Sequence, residues 1–448
     1  MLAVASVTRV RGVAVAHAVV GAVALCGVGL GLALRGMPVL ANDFPLNDGG
    51  LFSVMIEAVR GARYGLPWSV TYNGLEIPFA YPPLGFVLGA LLADLTHTSG
   101  IAVLRWLPLA LNLFAMGAFA LLARAVLRTA MGAVVALGVL MALPGSYEWL
   151  IGGGGLTRSL GLLFALLALR EAYLLATRGW RRDVALLAVC SGLALLSHLE
   201  MAWFLAYSAV LVYLGYGRTW GNAVRGAVAA GGALILAAPW WVTVLARYGP
   251  GPFVAAAATG SSVAQGLGAR DVQVFAALAL ALFAALAATR DERLSLLAWV
   301  GAIWLLNSRS RWLIACPLSL ALGRATSAAL IHPWGDWGAH AGTAAGRLAL
   351  WARPICAPLT VAALGLAALA YRSGLPVPAD VAAATAALTR EDRSAMGWLR
   401  NHTSERSRFI VVGGGGWAQD RVGEWLPVLG GRVVDSTIQG TEWLPGGE

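Results

Sequence analysis

The chain has 448 residues, 59% hydrophobic and only 12% charged, about half the charged fraction of a typical soluble domain. Its net charge of +10 comes from 32 basic residues, all of them arginine. They are scattered through short loops with no basic stripe interleaved with aromatics, which excludes a nucleic-acid partner and points to membrane topology.

Residues 13–34 carry no charge and are long enough to cross ~30 Å of hydrocarbon. Val39-Leu40-Ala41 would pass as a signal-peptidase site, but the preceding apolar run exceeds the ~7–15 residues of a signal core. It is read as an uncleaved first helix. Further apolar segments lie at 82–98, 101–126, 130–147, 156–176, 183–197, 200–216, 222–246, 272–289, 293–306, 309–324 and 354–371, giving twelve candidate spans. Cys26, Cys190, Cys316 and Cys356 lie far apart and mostly inside these runs, with neither zinc-site nor disulfide spacing.

Arginine placement sets the orientation. Arg9 and Arg11 hold the N-terminus in the cytoplasm, and the cluster Arg178, Arg181, Arg182 marks a cytoplasmic loop. Loop 36–80, the segments around 152–158, 198–200, 248–270 and 308–311, and the C-terminal tail then lie outside. Twelve crossings starting inside must end inside, so the count conflicts with the outer tail. The conflict sits between loop 36–80 and Arg124/Arg128. It is removed if one of 82–98 and 101–126 does not fully cross, or if a later run is split wrongly.

The fold class expected is therefore an all-α polytopic membrane protein with about 11–13 transmembrane helices. Residues 1–375 form the membrane domain, with 36–80 as its first external loop. Residues 376–448 form a small soluble extracytoplasmic α/β unit, with a helix at 391–402 and a strand at 408–412 running into glycines. The stop at Gly446-Gly447-Glu448 is consistent with an incomplete domain. Two copies of Glu-Trp-Leu-Pro, at 424–427 and 442–445, stand 18 residues apart, too close for a repeat architecture. Asp420, Glu424, Trp425, Arg432 and Gln439 mix aromatic and polar groups, suited to carbohydrate recognition or to an ordinary docking face, and are not ranked as catalytic.

Loop 36–80 carries the most information. Leu51, Val54, Met55, Ala58 and Val59 recur at i, i+3, i+4, i+7 and i+8, the spacing of an amphipathic helix. Asp48 precedes it, where a carboxylate accepts backbone N–H bonds and meets the positive helix end. On these residues alone, Asp48 reads equally as a helix cap or as a group aimed at a substrate.

The order of features is more specific. Asp48, the helix at 51–63, Leu66-Pro67-Trp68, Asn73-Gly74 and Pro82-Pro83-Leu84 follow one another in a sequence that resembles the first external loop of the glycosyltransferase C superfamily. The branch it resembles holds the protein O-mannosyltransferases and aminoarabinose transferases. The likeness is close over residues 40–90 and architectural elsewhere.

It implies sugar transfer from a polyprenyl-phosphate donor to a glycan, lipid or protein acceptor at the outer face of the inner membrane. The implied partners are that donor, the acceptor and the bilayer. Asp48 is implied as general base, and whether a divalent metal takes part is left open. The chain departs from the family at Gly49, where a second acid usually stands; Asp43 is the substitute if the loop folds back.

Other candidates lie near expected outer helix ends. Arg158 follows Gly152–Gly155 and either snorkels or contacts phosphate. His198 and Glu200, flanking Leu199, share a cavity only if the helix breaks there. Arg309 and Arg311 place positive charge outside, against the usual bias, and suit phosphate binding. Glu148 reads as interfacial beside Trp149. The glycine runs at 152–155 and 413–416 are not read as nucleotide loops, because a lipid-linked donor needs none. The alternatives are a transporter or flippase of a lipid-linked or hydrophobic substrate, which typically shows internal repeats absent here, and a non-catalytic membrane scaffold.

Overall fold

A computed structural model describes residues 2–143, 146–260, 292–307, 310–331, 385–413, 420–437 and 439–444. The expected spans 272–289 and 354–371, together with Arg309, lie outside the described residues.

The chain begins with α1 (Leu2–Ala41), then α2 (Gly50–Gly61) and the hairpin β1 (Ser69–Tyr72) with β2 (Leu75–Pro78). There follow α3 (Leu84–Thr96), α4 (Gly100–Leu127), α5 (Ala130–Ala142), α6 (Glu148–Ile151), α7 (Gly155–Arg178), α8 (Arg181–Ser197), α9 (Leu199–Tyr216), α10 (Trp220–Tyr248) and α11 (Gly251–Gly260). Next come α12 (Glu292–Leu306) and α13 (Ala315–Ile331), the latter entered through a 3-10 turn at Arg311–Ile314. The tail holds α14 (Arg390–His402), β3 (Arg408–Phe409), α15 (Arg421–Leu429) and β4 (Val433–Val434).

Among the described residues, α4, α7, α9, α10 and the His17–Ala41 part of α1 are long and apolar enough to cross a membrane. Ser99, Thr129 and Thr219 start α4, α5 and α10, each side-chain oxygen accepting an N–H from the first turn. Gly179, at φ 71, ends α7. The segments expected at 82–98 and 130–147 are shorter than read from sequence: α3 and α5 have 13 residues each, a rise of ~20 Å against ~30 Å of hydrocarbon.

Apolar on nearly every side, α7 occupies the middle of the bundle and packs on α4, α8 and α9. Small residues let helices meet closely. A Cβ on Gly138 of α5 would stand 2.5 Å from the Ala24 carbonyl of α1, and one on Gly31 would stand 2.3 Å from Met141 Cβ.

The tail carries the expected helix–strand unit. Thr389 and Asp392 form a capping box at the start of α14, and β3 pairs in parallel with β4. The tail sits on the first loop: the Asn47 N–H donates to the Ala386 carbonyl at 2.7 Å. Asn73 completes the docking, its side chain accepting the Val434 N–H (2.7 Å) and donating to the Val434 carbonyl (2.9 Å). Asn73 and Gly74 take φ 54 and 74, the left-handed pair that closes a two-residue hairpin. That turn was legible in the sequence as Asn-Gly, although the strands around it were not read.

Candidate functional site

The expected amphipathic helix forms as α2, burying Leu51, Met55, Ile56 and Val59. Asp48 does not cap it. Gly49 occupies the cap position, and the Gly49 and Gly50 N–H groups donate to Glu424 Oε1 of α15 at 2.7 and 2.9 Å. A carboxylate from the tail therefore meets the positive end of α2. Gly49 adopts φ 127, and a Cβ there would lie 3.0 Å from Gly153 Cα and 3.3 Å from Trp425 Cζ2. A second acid at position 49 has neither the backbone conformation nor the space it needs.

Asp48 turns instead to the N-terminal end of α7, where its Oδ1 accepts the Gly154 N–H at 2.9 Å. The Gly153 N–H donates to the Leu46 carbonyl at 2.9 Å. A Cβ on Gly154 would stand 2.3 Å from Asp48 Oδ2, and one on Gly153 would stand 2.2 Å from the Asp48 carbonyl. The glycine run at 152–155 is thus a bed on which the aspartate segment lies. Burial raises the Asp48 carboxyl above its ordinary value, against the pull of the Gly154 N–H and the Arg158 guanidinium.

One turn into α7 stands Arg158, whose Nη1 donates to the Trp149 carbonyl at 3.0 Å while its buried Nε has no partner among the described residues. Gly161, three residues on, shares that helix face and receives His198; a Cβ on Gly161 would lie 2.8 Å from His198 Cβ. Burial, with Arg158 beside it, pushes the His198 imidazole down to about 3, so it is neutral at neutral pH. Its buried Nδ1 also has no partner among the described residues.

The Tyr81 ring packs edge-on to His198, with centroids 6.3 Å apart, and lies 5.3 Å from Trp443. Its hydroxyl sits 3.4 Å from Thr157 Oγ1. The buried Trp443 Nε1 is a third polar atom without a partner among the described residues. Buried polar groups are rarely left unpaired. Three such atoms, on Arg158, His198 and Trp443, lie around Tyr81 and beside the Asp48 carboxylate.

Of the expected site residues, the structure brings together Asp48, Arg158 and His198. Asp43 faces away, toward the tail, exposed and paired with Arg390 (3.1 Å) and Arg393 (2.7 Å); those guanidiniums hold its carboxyl below its ordinary value. The chain does break at His198, which has extended backbone between α8 and α9. Glu200 nevertheless points to another neighbour, its Oε1 accepting from Asn307 Nδ2 at 3.4 Å. Arg311 lies over the Trp304 ring, 5.2 Å from its centroid. Among the described residues no group of three His, Cys, Asp or Glu side chains is placed to hold a metal ion, and no chemistry is derived through one.

Several contributors were not ranked as site residues in the sequence, where Trp425 was read only as part of a carbohydrate-recognition or docking face. Trp425, from the first Glu-Trp-Leu-Pro copy, donates from Nε1 to the Asn47 carbonyl at 3.0 Å, and Trp443 comes from the second copy. The Tyr72 hydroxyl donates to the Glu424 carbonyl at 2.7 Å. Arg35, fully buried in α1, donates to Asn112 Oδ1 (2.9 Å) and the Met141 carbonyl (2.8 Å), and its guanidinium lies 4.7 Å from the Tyr147 ring centroid. It braces the segment that leads to Gly152. Its one signal was a lone arginine at the end of a charge-free span. Glu148 is buried rather than interfacial.

No protein-family model matches the sequence, and no curated protein matches it. Solved structures do. The oligosaccharyltransferase AglB from Archaeoglobus fulgidus, solved with an inhibitory peptide and a dolichol-phosphate, superposes with a TM-score of 0.55 at 15% identity, over 93% of this chain and 64% of that one. The apo form of an Archaeoglobus fulgidus oligosaccharyltransferase gives 0.52 at 14% identity, over 94% and 65%. ArnT from Cupriavidus metallidurans, in the apo state, gives 0.51 at 15% identity, over 92% and 84%. The chain thus spans less than two thirds of the archaeal enzymes' length. These neighbours are membrane glycosyltransferases of the glycosyltransferase C fold, and the chain has that fold. With its apolar helices, this makes it an integral membrane protein.

Proposed function

We propose that this protein transfers a sugar from a polyprenyl-phosphate-linked donor to an acceptor hydroxyl at the outer membrane face. The observation that carries the reading is the partly buried Asp48 carboxylate, held on the glycine bed by the Gly154 N–H, with the unsatisfied Arg158 Nε and His198 Nδ1 close by. Asp48 accepts the acceptor's proton as its oxygen attacks the anomeric carbon. The bond from that carbon to phosphate oxygen breaks, and the lipid phosphate leaves with the electron pair. The Arg158 guanidinium meets the charge that develops there. A raised carboxyl pKa makes Asp48 a stronger base than an ordinary aspartate.

His198, neutral and buried, serves as a hydrogen-bonding wall rather than a charge. Tyr81 and Trp443 supply the aromatic faces that suit a sugar ring. Arg311 and Arg309 remain candidates for a second phosphate contact, and Glu200 for lining the cavity. Asp43 is better read as a tie between the first loop and the tail, given its two arginine partners.

The test uses membranes containing the protein, radiolabelled polyprenyl-phosphate sugars and a panel of acceptors. Asp48→Asn keeps an oxygen for the Gly154 N–H and removes the base, so transfer falls by ~10²–10⁴-fold. Transfer that survives the substitution removes Asp48 from the role. A wild-type protein that transfers nothing from any donor favours the transporter or scaffold readings.

A further inference from the structure

Both α4 and α7 start at the Asp48 end of the bundle and run away from it. The Gly100 N–H at the head of α4 donates to Glu57 of α2 at 2.8 Å, and Gly154 at the head of α7 holds Asp48. Their 28 and 24 residues carry their far ends ~35–40 Å away, to the other side of a bilayer's hydrocarbon. Between those far ends lies a cavity of about 560 Å³, lined by Arg124, Arg128, Arg170, Arg178, Tyr173 and Leu121 among others. That is within the ~300–1,000 Å³ of ordinary ligand pockets.

Four guanidiniums lining one cavity repel one another. Among the described residues Glu171 pairs with Arg170, and the buried Asp183 carboxylate stands near Glu171. Arg128 donates to the Tyr173 hydroxyl at 3.3 Å, and Arg178 lies over the Trp180 ring, 5.4 Å from its centroid. The Arg124 side chain has no polar partner among the described residues. The two helix C-termini attract some of this charge, and topology explains arginines at this end of the bundle. Neither explains why four of them face the same space. Exposed Leu121 and Trp180 stand at its edge, where a bound lipid's glycerol and chains would pass.

We infer that this cavity binds the phosphate headgroup of an anionic lipid, at the membrane face opposite the Asp48 site. Guanidinium forks match phosphate oxygens bidentately, and basic pockets between transmembrane helices are suited to such headgroups. The inference does not depend on the sugar-transfer reading.

The test titrates the purified full chain, in neutral detergent, with phosphatidylglycerol, phosphatidylcholine or inorganic phosphate, following thermal stabilisation and lipid retained by native mass spectrometry. Phosphatidylglycerol stabilises the wild type and stays bound, phosphatidylcholine does not, and millimolar inorganic phosphate fails to compete. Arg124→Gln with Arg178→Gln weakens phosphatidylglycerol binding by about tenfold or more. Arg124→Lys with Arg178→Lys, which keeps the charge, loses less. Arg181→Gln with Arg218→Gln, outside the cavity lining, changes little. Equal loss in that control pair, or no preference over phosphatidylcholine, overturns the site. Effective competition by inorganic phosphate overturns the lipid assignment. If the glutamine pair does not fold, the wild-type competition and the lysine pair decide the matter.

Discussion

Glu424→Ala isolates the most unexpected contact in the site. The substitution removes the one acceptor shared by the Gly49 and Gly50 N–H groups and leaves both buried at the head of α2. Each unsatisfied buried donor costs ~1–3 kcal/mol, and losing a charge at the helix start costs a further ~0.5–1 kcal/mol. These add to ~2.5–7 kcal/mol, and the lower part of that range, about 2.5–4 kcal/mol, is ~70–1,000-fold in a local opening equilibrium. The tail itself should stay docked, because the Tyr72 hydroxyl bonds the Glu424 backbone carbonyl, which the substitution leaves in place. Glu424→Gln keeps an acceptor oxygen and should lose only the charge contribution.

The assay is hydrogen exchange of residues 48–53 in detergent, with peptides from α14 and β4 as internal references. Faster exchange confined to 48–53, large for alanine and small for glutamine, is the expected pattern. Unchanged exchange at Gly49 and Gly50 in Glu424→Ala would refute the reasoning that the tail caps this helix. Sugar transfer by the alanine variant should drop as well, since Asp48 is adjacent to the residues released.

Gly49→Glu, which restores the acid pair of the resembling family, is expected to lower stability by ~1–3 kcal/mol through strain at φ 127 and to lower transfer; rescued or higher activity would show that the loop adapts. Asn73→Gly tolerates the φ of 54 but loses both bonds to Val434, so limited proteolysis of the tail should speed up by ~5–100-fold. The rate of transfer should fall on acidification along a limb set by Asp48. A base works deprotonated, and its carboxyl is raised, so that limb lies above the ~3.9 of an ordinary aspartate; a limb at or below that value would argue against Asp48. His198→Gln should retain most activity, because the imidazole is neutral. His198→Phe should lose ~3–10-fold through a missing hydrogen bond, with no change in the pH profile.

Much of the architecture was legible because its causes are local. A charge-free run long enough to span a bilayer has few alternatives, and the i, i+3, i+4 spacing of Leu51, Val54 and Met55 fixes an amphipathic helix whatever surrounds it. The Asp48–Pro83 order carried the resemblance, and the solved neighbours agree with it at the level of fold. Helix ends were less legible: α3 and α5 stop at 13 residues, because hydropathy continues past the point where the backbone turns.

The sequence by itself determined a helical membrane protein with one informative loop, and singled out Asp48, Arg158 and His198 along with Asp43, Glu200, Arg309 and Arg311. Only the tertiary structure decided what the first three face. Gly154 and Asp48 are 106 positions apart and Glu424 and Gly49 375 apart, and no periodicity reports contacts at such separations. Gly49 looked like a lost acid; in the fold it is the residue that lets the chain pass between Gly153 and Trp425 while its N–H reaches a carboxylate from the tail. A side chain's chemistry is written in the sequence, but its partners are chosen by which helix ends pack together.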